Sequence, residues 1–512
     1  MRSQIIPFCF TLLIFSISAC ASQPNTISIP SPTPPPELSP TSNHAAQIVT
    51  PSPPESTATE PTPPMIEVQQ APPTPEKRLD ELTQYNLTAT LDYAQHHLTV
   101  VEEIAYTNRA SEPILDLLLI VEPSRYPGVF DLKDLTWGDG NPVLDFSREI
   151  GQLQILLDKP LDPGGTIELT LDFELFLPSP DPSFYGRPVP FGYSTRQTNL
   201  VDWYPFIPPY VPGQGWVAHK AGAFGEHLVY EVADFEVDIH LSDSTPNLII
   251  AASAPAETEG AWHHYHFDEA RNFVWSVSDQ YVLSTTTVDS VAILAYYFPV
   301  NVKAGEAVLE TTTEALGLYN DLFGPYPRQA LTVVEADFLD GMEYDGLYFL
   351  SKGFYNLYSG GPADYLTAIA AHETAHQWWY SSVGNDQALE PWLDEALCTY
   401  SERIYYENIH PEGLDWWWTY RINYYAPKGW VDGSIYNPEG YRAYRDAIYL
   451  NGARFLEELR DLVGGDAFFE FIFDYAQKFA HQIATADDFF ALLENYSQAD
   501  ITPLLDKYFQ TR

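Results

Sequence analysis

Apolar and polar residues alternate in short runs through the first part of the folded sequence. The clearest are "YNLTATLDYAQHHLTVVEEIAYTN" from Tyr85 and "QLQILLDKPLDPGGTIELTLDFELFL" from Gln152, the latter turning at Asp162, Pro163, Gly164 and Gly165. A period of two marks half-buried strands, and "YEVADFEVDIHL" and "NLIIAASAP" carry it to about residue 290. The pattern predicts an antiparallel β domain over 81–290. Beyond it the period lengthens. "EAVLETTTEALGLYNDLFG" reads as a helix stopped by Gly324 and Pro325, "ALTVVEADF" as a strand, and most of the chain from Pro362 as helices. Residues 291–512 therefore form an α-rich domain with a small sheet, and the fold class is multidomain α+β.

Two segments precede these domains. "MRSQIIPFCFTLLIFSISAC" has one Arg, an apolar run of signal length and small residues before Cys20, and resembles the lipobox of bacterial lipoproteins. That resemblance implies a signal peptide over 1–20 and lipidation of Cys20. Residues 21–80 follow, and up to Lys77 they interleave sixteen prolines with Ser, Thr and Glu. Such a composition builds neither ladder nor core and reads as a disordered, extended linker. The expected location is exported, at the cell envelope, with the membrane contacted only through the lipid.

Composition narrows the partners. A formal net charge of -45, from 25 Lys and Arg against 70 Asp and Glu, excludes nucleic acid, whose phosphates are bound by Lys and Arg. It disfavours anionic membrane surfaces for the same reason. With Cys9 in the signal and Cys20 at the lipid site, only Cys398 remains, so no internal disulfide forms. Cys398 sits in an apolar helical pattern and reads as a small core residue rather than a nucleophile.

Candidate chemistry centres on "AIAAHETAHQWWYSS". His372 and His376, four apart, share one face of a helix whose start is marked by Gly360, Gly361 and Pro362, and both rings reach one point beside it. A catalytic zinc takes three protein ligands and keeps one position open. Glu373 lies where it reaches the metal's water as general base. Glu395, with eighteen residues between it and His376, lies in the helical "EPWLDEALCTYSERIYYE" and completes a His372, His376, Glu395 ligand set. The "HHYH" run at 263–266 lacks a third ligand nearby and reads as strand surface.

"HETAHQWW" with "PWLDEALCTY" resembles the signature of the gluzincin aminopeptidases, the group of aminopeptidase N and leukotriene hydrolase. These also carry a Gly-x-Met-Glu-Asn-like strand, matched here by "DGMEYDGLYFL", with Tyr344 in the Asn position. The resemblance implies one zinc ion, with Gly341, Met342 and Glu343 in substrate binding and Glu343 holding the substrate's α-amino group. It implies a saddle-like N-terminal β domain and a thermolysin-like catalytic domain. In "AIYLNGARFL" it makes Tyr449 the stabiliser of the oxyanion, although Asn451 replaces the family's Lys and Tyr441 and Tyr444 lie close. The chain stops soon after "DITPLLDKYF", so the large C-terminal helical domain of many members is not expected, and the site is expected to be more open than theirs.

The expected function is a zinc aminopeptidase acting on peptides with a free N-terminus. A thermolysin-like endopeptidase and a catalytically inactive peptide-binding lipoprotein are the alternatives.

Overall fold

The computed structural model describes residues 82–179 and 190–511. The signal, the lipidation site Cys20 and the linker lie outside the described residues. All described residues belong to one compact unit. Among them no helix is long and apolar enough to cross a membrane.

The predicted strands form, but they divide among several sheets. The largest has seven strands, in spatial order Ala256–Glu259, Trp262–Ala270, Ala233–Leu241, Thr83–Asp92, His97–Thr107, Thr166–Phe176 and Phe130–Trp137. Its pairs are antiparallel except one: Thr83–Asp92 runs parallel to Ala233–Leu241, with Leu87 opposite Val237. Strict alternation sends Tyr85, Leu87, Ala89 and Leu91 into the core and leaves Asn86 and Thr88 outside. Gln152–Leu161 and Thr166–Phe176 are not a hairpin, despite the turn between them. The first belongs to a three-stranded sheet with Ile114–Ile120 and Phe146–Glu149, and the second to the seven-stranded sheet. His264 and His266 lie on strand surface, where their Nδ1 atoms meet Asp238 and Glu236, each at 2.6 Å.

A five-stranded mixed sheet follows, in order Val282–Val288, Val291–Tyr297, Ala330–Ala336, Leu347–Ser351 and Gly341–Tyr344. It separates two hydrophobic cores. Leu331, Val333, Tyr348 and Leu350 face the core of the helices, while Val334, Ala336, Leu347 and Phe349 face that of the β domain. A strand buried on both sides must be apolar throughout, which is why Ala330–Ala336 shows no alternation. The two halves of the chain thus share one wall.

Helix Val302–Phe323 packs along this sheet and ends where Gly324 takes φ 103°. Against it lies helix Tyr365–Ala375, and against that helix Trp392–Asn408. Helix Tyr365–Ala375 begins at Asp364, whose carboxylate accepts from the Leu366 N–H at 3.0 Å, rather than at the preceding glycines. From Leu366 to Ala375 every residue is buried, as an alanine-rich helix allows. Cys398 is fully buried on helix Trp392–Asn408, in the core.

The β domain also grips the turn that follows helix Tyr365–Ala375. Arg271 donates to the carbonyls of Ser381 (2.8 Å), Ser382 (3.1 Å), Gln482 (2.9 Å) and Tyr230 (2.9 Å). Tyr380, at φ 128°, accepts a hydrogen bond from Asn272.

Candidate metal centre and its cavity

His372 lies in the last turn of helix Tyr365–Ala375, and His376 is its C-cap, at φ -60° and ψ -15°. The pair therefore sits at the end of the helix, not well inside it. The i, i+4 geometry survives, because the His376 N–H still bonds to the His372 carbonyl at 3.3 Å. Beyond it the chain folds back, so that the His376 Nδ1–H donates to the Trp379 carbonyl at 3.0 Å. His372 Nδ1 is 2.9 Å from Glu402 Oε1. With both Nδ1 atoms acting as donors, both Nε2 atoms keep their lone pairs for a common point.

Glu395 faces that point from the first turn of helix Trp392–Asn408. Its Oε2 lies 3.2 Å from His372 Nε2 and 3.6 Å from His376 Nε2, and all three donor atoms fall within 4.8 Å of one another. Donors about 2.0–2.1 Å from a tetrahedral zinc sit about 3.4 Å apart. The separations of 3.2 and 3.6 Å bracket that spacing, so this donor set fits zinc. In the bare cluster protons are favoured on the imidazoles in place of a cation. Burial works against charge on His372, but Glu395 and Glu402 outweigh it and hold the imidazole at about 9. Burial likewise opposes ionisation of Glu395, yet His372 and His376 keep its carboxyl at about 2.

Glu373 is buried beside the cluster, and its Oε2 has no hydrogen-bond partner among the described residues. Burial, with Glu343 and Glu395 nearby, raises its carboxyl well above the ordinary range against the pull of His376 and His372. A proton acceptor of raised basicity, facing the ligand set, is what water activation needs.

Edge strand Gly341–Tyr344 supplies the next group. Period two sends Met342 and Tyr344 into the β-domain core and leaves Gly341 and Glu343 on the helix side. Glu343, Glu373 and His376 bring donor atoms within 4.8 Å of one another. Gln387 holds Glu343 in place, its Nε2 donating to Glu343 Oε1 at 3.0 Å and to Asp394 Oδ2 at 2.9 Å. Gly341 is a steric requirement, since a Cβ there would lie 1.9 Å from Glu373 Oε1.

Tyr449 closes the group. Its hydroxyl donates to Glu395 Oε1, and its ring lies parallel to that of His372 with centroids 6.0 Å apart. Burial, reinforced by Glu395, raises its pKa well above the ordinary phenol value, so the O–H remains a donor. Tyr444 packs 6.0 Å from Tyr449, and Tyr441 donates instead to Asp340 at 3.0 Å. These groups line a cavity of about 390 Å³, walled further by Phe224 and Glu226. His372, Glu373, His376, Glu395, Glu343 and Tyr449 thus converge, with Gly341 and Met342 at the cavity's edge. Asn451 points away, its Nδ2 donating to the Gly429 carbonyl at 2.9 Å.

Several groups were not anticipated from the sequence. Glu402, fully buried, accepts from Trp417 Nε1 (2.8 Å) and from Arg421 Nε (2.9 Å) and Nη2 (2.7 Å) as well as meeting His372. One signal was there: Glu402 follows Glu395 by seven residues, two turns along one helix face. Glu226, Gln387 and Arg421 come from loops and an irregular helical turn, where no period marks them.

Residues 307–508 match the peptidase family M1 domain. They form an M1 peptidase domain. The chain is similar to mouse endoplasmic reticulum aminopeptidase 1, at 27% identity over 248 residues, which is 45% of this chain and 27% of the relative. It is similar also to rice aminopeptidase M1-B, at 27% identity over 216 residues, covering 39% of this chain and 25% of the relative. The match thus spans about a quarter of the length of these relatives. A variant of the M1 zinc metallopeptidase of Deinococcus radiodurans superposes with a TM-score of 0.61 at 19% identity, covering 84% of this chain and 94% of that one. A variant bound to a Tyr-Ser-Ala substrate gives 0.57 at 17% identity, covering 84% and 95%. These two share the fold: a β-rich N-terminal region followed by the helical M1 domain.

Proposed function

We propose that this chain is a zinc aminopeptidase that removes N-terminal residues from peptides, exported behind the signal 1–20 and tethered at the cell envelope through a lipid on Cys20 and the linker 21–80. The observation that carries the activity is the position of Glu343. A buried carboxylate held within 4.8 Å of both Glu373 and His376 pairs with an ammonium and so sets the cut one residue from a free N-terminus.

His372, His376 and Glu395 would hold the zinc, which when bound would supply the Lewis acidity that activates water and polarises the scissile carbonyl. Glu373 takes the proton of the attacking water on its carboxylate and delivers it to the leaving amine. Tyr449 turns its O–H toward the oxyanion that develops at the carbonyl. Glu343 orients the substrate, with Gln387 fixing the Glu343 rotamer. The closeness to M1 aminopeptidases and to a metallopeptidase described with a Tyr-Ser-Ala substrate supports this reading.

The test compares the native protein with Glu373→Gln by metal analysis and by turnover of an aminoacyl anilide. We expect zinc to be retained and turnover to fall by about 10³-fold or more, as loss of an essential general base does. Equal turnover of N-acetylated and free peptides would instead make this an endopeptidase.

A further inference from the structure

Two acids of the cavity depend on chain with no regular structure. Glu226 comes from the segment between Trp216 and Ala233, and Glu343 is anchored by Gln387 from the loop before helix Trp392–Asn408. Such segments place a side chain only as well as their tethers hold them. Glu226, Glu343 and Glu395 bring carboxylate oxygens within 4.8 Å of one another, so a small shift of either segment changes the gap between Glu226 and Glu343.

One pair of side chains joins the two segments. His219 Nε2 lies 2.8 Å from Asp386 Oδ2, and at 16% and 23% exposure the pair is screened less than one on the open surface. The other oxygen, Asp386 Oδ1, accepts from the N–H groups of Ala388 (3.1 Å) and Leu389 (3.0 Å), closing the turn on which Gln387 sits. One carboxylate therefore shapes the loop that aims Gln387 at Glu343 and also holds the segment that carries Glu226. Neighbouring contacts run the same way. The Lys220 carbonyl accepts from the Tyr436 hydroxyl at 2.7 Å, and the Ile435 N–H donates to the Ala388 carbonyl at 3.1 Å. Gly225, at φ 71°, lies so close that a Cβ there would meet Ile435 Cγ2 at 2.4 Å.

The strength of the pair depends on the charge of His219. Imidazoles change charge between about pH 5 and 8, and a protonated ring facing a carboxylate makes a bond roughly twice as strong as the neutral one. Besides Asp386, a small cavity beside His219 brings together Glu122, Glu149, Arg125, Lys220 and His227. Glu122 is already engaged by Arg125 and His227, each at 3.3 Å, which leaves Asp386 as the carboxylate that His219 itself meets. The Tyr436 phenol, raised by burial and by Asp386, keeps its proton throughout that range.

We propose that His219 and Asp386 are positioning residues for the substrate's ammonium group: their contact sets the gap between Glu226 and Glu343, and protonation of His219 tightens the grip on a free N-terminus. The proposal rests on the aminopeptidase reading given above. As pH rises through the imidazole range His219 loses its charge, the contact weakens, and KM for substrates with a free N-terminus rises. Neither residue touches the substrate; both act through the carboxylates they place.

The experiment uses the full chain and an alanyl anilide, with KM and kcat measured at about pH 5.5 and about pH 8, on either side of the imidazole range. His219→Gln keeps a neutral donor toward Asp386 at both. We expect its KM to exceed the native value by about threefold or more at the lower pH and to match it at the higher, because a charge-assisted contact is lost only where the native ring is charged. The change should fall on KM and not on kcat. His219→Lys, charged at both, should hold KM at the higher pH below the native value. Taking the ratio to native at each pH cancels the titration of the substrate's own amine. A His219→Gln ratio that is the same at both pH values overturns the proposal alone, since the contact is then structural or the pH dependence belongs to His227. Should His219→Gln fail to fold, His219→Lys decides, and a KM at the higher pH no lower than native overturns the proposal. No turnover by the native protein overturns it together with the aminopeptidase reading.

Discussion

Glu402 Oε1 lies 2.9 Å from His372 Nδ1, two turns along the same helix from Glu395, the proposed metal ligand. A fully buried carboxylate is costly unless its oxygens are occupied. Here Trp417, Arg421 and His372 occupy them, and Arg421 and His372 keep the carboxyl below its ordinary range despite burial. The arrangement fixes the tautomer that presents His372 Nε2 to the metal.

Glu402→Gln should therefore weaken zinc binding by about 10–100-fold, the usual cost of losing such a support. Chelator competition measures it. Unchanged zinc affinity would show that Glu402 serves only the core.

Gly341 tests the packing of the edge strand against Glu373. The added methyl of Gly341→Ala would meet Glu373 Oε1 at 1.9 Å, so either the strand or the carboxylate must move. We expect zinc content and circular dichroism to be retained while kcat falls about 10²-fold, since small misplacements of a catalytic group carry losses of that order. Wild-type kcat would mean that Glu373 has another productive rotamer.

What could be read from the sequence followed from periodicity. His372 and His376 on one helix, and Glu395 and Glu402 on the next, lie at spacings that each helix turns into one face, whereas Glu343 was marked only by the resemblance of its strand to that of a known family. Assembly into sheets was less legible. The turn at Asp162–Gly165 looks like that of a hairpin, yet its two strands serve different sheets, because pairing partners are chosen by tertiary packing and not by the turn alone. Helix ends were shifted too. Asp364 outcompetes the glycines as a start because its side chain satisfies a free N–H, and the Trp379 carbonyl draws His376 into the closing turn. Arg421 and Gln387 were invisible, since their roles depend on partners distant in sequence.

Gln387 offers a specificity test. Its amide bridges Glu343 and Asp394, two acids that would otherwise repel at close range. In Gln387→Leu, Glu343 loses that anchor. KM for peptides with a free N-terminus should rise by about tenfold, the cost of one hydrogen bond to a charged group. The preference for free over N-acetylated peptide should narrow in step. A change in kcat alone would place Gln387 with the chemistry instead.

Asp337 gives a pH-dependent measure of how the β domain is tied to the five-stranded sheet. It follows strand Ala330–Ala336 and accepts from Arg196 Nε at 3.1 Å and Ser194 Oγ at 2.8 Å, with Lys352 Nζ 3.1 Å away. Burial opposes its ionisation, but Arg196, Ser194 and Lys352 prevail and hold the carboxyl at about 2, below the ordinary 3.8. A carboxyl depressed in the folded state stabilises it above the unfolded value, and that contribution fades as pH falls from about 4 toward 2. The shift corresponds to about 2 kcal/mol at neutral pH. Asp337→Asn should thus lower the urea midpoint by a constant amount above about pH 5, and the gap should close on acidification through the window from about 4 to 2. A gap that persists undiminished at the acid end would show that Asp337 contributes through shape and neutral hydrogen bonds, and not through its charge.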